Sequence, residues 1–154
     1  MMPSLLRDYQ VRHLHLSPLV TVHEDQPIRD VIAQMQTYRI GCVLVCAQDR
    51  LTGIVTEMDV LRKVESGGDS VEDPVSSIMT RNPVCIAQDA SIWEAAEKMN
   101  EGGFRHLPVV DAQGAPQGYI SIRSLVIYLA DQFPDTIYTL PPDPHRFPST
   151  PEGP

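Results

Sequence analysis

Basic side chains are scarce in this chain: 12 lysines and arginines stand against 20 aspartates and glutamates, a formal net charge of −8 over 154 residues. A surface of that sign repels phosphate backbones and anionic headgroups. It excludes a general nucleic-acid or membrane-surface binder and leaves room only for a locally basic pocket. Cysteine is scarcer still, with Cys42, Cys46 and Cys85. Their number is odd and their spacing fits no metal motif. Cys42 and Cys46 share the apolar run Gly41-Cys-Val-Leu-Val-Cys-Ala47. In a strand they stand about 13 Å apart, beyond disulfide reach. All three read as small buried hydrophobes in a reducing compartment. No apolar run approaches the roughly 18 residues of a membrane helix. The opening Met-Met-Pro-Ser-Leu-Leu-Arg-Asp has no signal-peptide core, so the expected location is the cytoplasm. A Walker lysine, a nucleophile elbow and a Ser/His/Asp order are all missing, which argues against an enzyme. His13, His15 and His23 have no further ligands in pattern, so no metal is expected.

What the chain does have is an internal repeat. Hydrophobic residues make up 42% and charged residues 21%, the balance of a soluble globular protein. One segment runs Val20-Thr-Val, Ile28-Arg-Asp-Val-Ile-Ala-Gln-Met35, Gly41 to Ala47, then Gly53-Ile-Val-Thr-Glu-Met-Asp-Val-Leu61. A second runs Val84-Cys-Ile86, Ile92-Trp-Glu-Ala-Ala-Glu-Lys-Met99, His106-Leu-Pro-Val-Val110, then Gly118-Tyr-Ile-Ser-Ile-Arg-Ser-Leu-Val126. The two stand about 65 residues apart. Ile28, Val31, Ile32 and Met35 fall on one helical face, and Ile92, Ala95, Ala96 and Met99 repeat it. The Val-rich runs read as buried strands, and Gln48 to Arg50 and Asp111 to Gly114 as turns. The expected fold class is therefore α/β (α+β), two β-α-β-β-α repeats packed as a pseudo-two-fold pair. Neither repeat is large enough to cover its own sheet, so each needs the other.

The expected division is an N-terminal extension over 1–15, a first domain over 16–66, a linker over 67–77, a second domain over 78–133 and a flexible tail over 134–154. The tail holds seven of the chain's 14 prolines and little apolar periodicity.

Chemistry concentrates where the last strand of each repeat turns into a helix. In Gly53-Ile-Val-Thr-Glu-Met-Asp59 the glycine permits close approach and Thr56 is placed to cap the helix. The helix start suits a phosphate, and a carboxylate one turn in suits a ribose diol. Thr-x-x-Asp is also a plain capping box, which needs no ligand.

Both turns resemble the Gly-hydrophobe-x-Thr/Ser-x-x-Asp signature of cystathionine β-synthase (CBS) domains. So do Arg105-His-Leu-Pro-Val-Val-Asp111 and Ser77-Ile-Met-Thr-Arg-Asn-Pro83, and the resemblance covers about residues 10–130. It implies a stand-alone tandem pair that binds an adenine nucleotide or related adenosyl ligand between its repeats, dimerises into a flat disc and regulates a separate, unidentified protein. In one cleft it assigns Asp59 to the ribose and Thr56 to the phosphate, with Arg105, His106 and Arg123 as donors from the other repeat and Val20 and Thr21 as wall. In the second cleft the signature reads Ser121-Ile-Arg-Ser124, walled by Thr80 and Pro83. There Ser124 replaces the acid, and the facing Ile40, Gly41 and Met58 carry no charge. One competent cleft and one weak or empty cleft are expected. A ligand-independent dimerisation or docking scaffold is the alternative.

Overall fold

The computed structural model describes residues 6–67 and 70–132; the Pro-rich tail expected over 134–154 lies outside them. The first repeat runs β1 (Thr21–His23), α1 (Ile28–Tyr38), β2 (Cys42–Ala47), β3 (Arg50–Thr56) and α2 (Glu57–Glu65). After a short extra strand, β4 (Thr80–Arg81), the second runs β5 (Ile86–Ala87), α3 (Ile92–Gly102), β6 (His106–Val110), β7 (Pro116–Ser121) and α4 (Ile122–Gln132). This is the expected α+β repeat, found twice.

The local reasons are the ones the patterns predict. Ile28 and Val31 of α1 are fully buried, as are Ile92 and Ala95 of α3. The Ser91 hydroxyl accepts the Glu94 amide at 3.0 Å and starts α3. Between β2 and β3, Gln48 and Asp49 both take positive φ, 50° and 62°, the backbone of a tight hairpin. Between β6 and β7 the Asp111 carboxylate accepts the amides of Gln113 and Ala115, each at 2.9 Å. Each helix crossover makes its flanking strands parallel, β1 with β2 and β5 with β6, while the hairpins β2–β3 and β6–β7 are antiparallel.

The repeats exchange segments, which their internal similarity does not reveal. Thr80 and Arg81, expected to open the second repeat, pair with Ile54 and Gly53 and extend the first sheet to four strands. Val75 from the expected linker and Met79 from the start of the expected second domain are buried in the first repeat's core. In return, Val11 and Leu14, from the expected N-terminal extension, are buried in the core of the second repeat. Ser17 pairs with Tyr119 on β7. A third cluster, Cys42, Leu44, Ile54 and Tyr119, joins the two sheets. The apolar face left open by each small sheet is thus closed by the other repeat and by the exchanged segments.

Candidate functional site

The two strand-to-helix turns have the same hydrogen-bond pattern, one capped by a charged group and the other by a neutral one. At the first, Thr56 N donates to Asp59 Oδ2 at 2.8 Å and the Thr56 hydroxyl donates to the same oxygen at 3.0 Å. Asp59 N donates back to Thr56 Oγ1 at 3.4 Å, completing a capping box. Both Thr56 bonds fall on Oδ2, so the turn makes no use of the second carboxylate oxygen. At the second turn, Ser121 N donates to Ser124 Oγ at 2.8 Å, Ser124 N donates to Ser121 Oγ at 3.2 Å, and the hydroxyls lie 3.0 Å apart. Ser124 therefore does the capping work of Asp59 without its charge.

The glycine of each motif is filled by protein. A Cβ on Gly53 would lie 2.6 Å from the Met79 sulfur, and one on Gly118 would lie 2.8 Å from the Ser17 carbonyl oxygen. Each glycine receives the segment that leads into the opposite repeat. This placement puts Thr80, expected at the second cleft, beside the first turn. Thr80 sits beside β3 and so on the Asp59 side, and Asn82 N bonds Thr52 O there at 3.1 Å. Pro83 follows directly. Thr21 pairs with Leu44 on β2, so β2 separates it from the Thr56 strand, and Val20 is buried in the first core. Thr80 changes sides because its strand pairs with the repeat it does not precede in sequence.

His106 does cross between repeats. Its Nε2 lies 3.4 Å from where a Cβ on Gly41 would stand, and Gly41 O accepts the first amide of α2, Glu57 N, at 3.1 Å. Its ring meets Tyr119 edge-on at 5.5 Å. Burial lowers the His106 pKa; the Glu57 carboxylate pulls it back up and the Arg105 guanidinium lowers it again. Arg105 is exposed beside it. Burial pushes the Cys42 thiol beneath Gly41 up to about 12, against a hydrogen bond from Tyr119, with Glu57 adding to the rise. Arg123, expected at the Asp59 cleft, is instead among the residues lining a cleft of about 630 Å³ on the Ser121 side. His13, His15 and Ser17 form its opposite wall, and Ser121, Ser124 and Asp131 complete the polar lining. Arg123 belongs to the first turn of α4, so it stands at its own helix start. Glu57 was not singled out in the sequence, and His13 and His15 were weighed there only as metal ligands, not as the wall of a cleft.

Among the described residues no group of three or more His, Cys, Asp or Glu side chains is placed to hold a metal ion. No described helix is long and apolar enough to cross a membrane.

Two repeats with this topology, interleaved lead-in strands and a capped turn at equivalent places define a class, and comparison with known proteins agrees. The CBS domain family model matches residues 11–66 and again 75–131. The chain belongs to the CBS domain family and carries two such domains in tandem. A CBS domain-containing protein of Arabidopsis thaliana is 39% identical over 103 residues, 66% of this chain and 18% of the plant protein. The chain thus spans under a fifth of that relative's length. An uncharacterised 17.7 kDa protein of Acidianus ambivalens is 30% identical over 123 residues, 79% of this chain and 74% of that protein. Among solved structures, a CBS domain protein of Pyrobaculum aerophilum in complex with AMP superimposes with a TM-score of 0.71 at 28% identity, covering 79% of this chain and 98% of that one.

Proposed function

We propose that this CBS pair is a regulatory module that binds an adenosyl ligand, of the AMP, ADP or ATP type, at the Asp59 turn and acts on a separate protein. The observation that carries the reading is the difference between the two turns. Both are capped alike, yet one does it with a carboxylate. Capping is met by a hydroxyl at Ser124, and the charge retained at Asp59 supports a ligand role there. A ribose diol is a fitting partner, since a carboxylate accepts two hydrogen bonds from it while retaining its cap. The helix start and the nearby Arg105 and His106 would take the phosphate end. The AMP-bound relative from Pyrobaculum aerophilum supports the ligand class. The module catalyses nothing in this reading. It works by holding one arrangement of a dimer more tightly than another, since only differential affinity shifts such an equilibrium.

Calorimetric titration with AMP tests the site. Asp59→Asn keeps an acceptor for Thr56 N and removes the charge. It is expected to fold normally and to lose at least about tenfold in affinity, the weight of a charge-assisted hydrogen bond. Unchanged binding would move the ligand away from Asp59.

A further inference from the structure

Glu57, the first residue of α2, belongs to the turn yet plays no part in its cap. Its amide is fastened to Gly41 O at 3.1 Å. Its carboxylate folds back over the start of β2: Oε1 lies 2.8 Å from the position a Cβ on Gly41 would take. His106 Nε2 lies 3.4 Å from that same point, arriving from the other repeat. The missing side chain of Gly41 is what lets the Glu57 carboxylate and the His106 imidazole both approach this point. Arg105 is the next residue along the same strand end. A full negative charge therefore stands among the groups best suited to hold phosphate. The second turn has no counterpart, because the equivalent position is Ile122 and the first turn of α4 holds no acid.

We propose that Glu57 is a charge filter, a specificity-determining residue that limits how many negative charges the ligand carries into the Asp59 cleft. This rests on the ligand position proposed above. The carboxylate offsets part of the attraction of the helix start, Arg105 and His106. A monophosphate still gains from those donors. Each further phosphate must approach the same donors with Glu57 already among them, and like charges at close range repel. The site accordingly takes AMP in preference to ATP.

The test is calorimetric titration of the whole chain with AMP and with ATP, for the wild type, Glu57→Gln and Asp59→Asn, with circular dichroism to confirm the fold. The wild type is expected to bind AMP more tightly than ATP. Glu57→Gln is expected to tighten ATP binding by about tenfold and AMP binding by under about threefold, narrowing the preference. An ATP-to-AMP affinity ratio that is the same in wild type and Glu57→Gln overturns the filter alone, provided AMP binding still depends on Asp59. A wild type that binds neither nucleotide, or binds AMP equally well in Asp59→Asn, overturns the underlying site as well.

Discussion

Asp59 and Ser124 occupy the same step of two matching turns, and comparing them separates what the fold needs from what the proposed ligand would need. The fold needs an oxygen to accept the amide three residues earlier, and either side chain supplies it. Thr56 and Asp59 were both legible in the sequence because a cap is a local signal, set by residue type and spacing. Glu57 was not, because an acid in the first turn of a helix ordinarily complements the dipole in solvent. Only the approach of the other repeat turns it toward His106. That histidine gives a pH dependence with a definite sign. Burial depresses its pKa below 6.5 in the folded chain, so between the folded and unfolded values the unfolded state binds more protons. Stability is therefore expected to fall as pH drops below about 6.5 and to level off once the folded-state pKa is passed. Melting curves between pH 8 and pH 5 should show a shallower loss for His106→Gln, and equal slopes would remove His106 as the cause.

At the scale of elements, the helices were readable and the partners of the short strands were not. Ile28, Val31, Ile32 and Met35 state the face of α1 outright, because helical periodicity is written within a dozen residues. That Val11 and Leu14 complete the second core while Val75 and Met79 complete the first is a long-range fact, and leaves no pattern in the segments themselves. The motif glycines record it indirectly. Gly118 holds φ at 142° with the Ser17 carbonyl against it, whereas Gly53 faces the flexible Met79 side chain. Gly118→Ala should destabilise by about 1–3 kcal/mol, and more than Gly53→Ala, in urea unfolding, because a backbone carbonyl yields less than a methionine. Equal losses would contradict the exchange as described. The outer faces of α2 and α4 carry another signal. Met58, Leu61 and Val64 are 52%, 60% and 52% exposed, and Val126 and Ile127 are 58% and 47% exposed. Such rows are costly in water. A second copy packed against them would fit the proposed dimer. Leu61→Glu and Val126→Glu together are expected to give a monomer in sedimentation equilibrium while leaving the fold intact, and an unchanged mass would place the contact elsewhere.

For the whole molecule, two repeats of one plan have been given unequal chemistry. The Asp59 turn holds a capping carboxylate, a crossing histidine and an acid beside it. The Ser121 turn opens on a cleft lined by His13, His15 and Arg123, with Ser124 where the first turn has its carboxylate. Repeat symmetry was visible from apolar and glycine positions. The asymmetry was visible only in part, because Ser124 in place of an acid is a local substitution whereas the position of Arg123 depends on packing. Interleaving also ties the two sites together: each lead-in segment touches one motif and continues into the other repeat's first strand. A ligand that tightens the Asp59 turn thus acts on the contact between repeats, where a dimer or a partner could sense it. A crystal structure of the chain grown with AMP tests this account most directly. The ribose diol should sit on the Asp59 carboxylate, with the phosphate directed to the start of α2 and toward Arg105 and His106. AMP seated instead in the Ser121–Ser124 cleft, with the Asp59 turn empty, would contradict it.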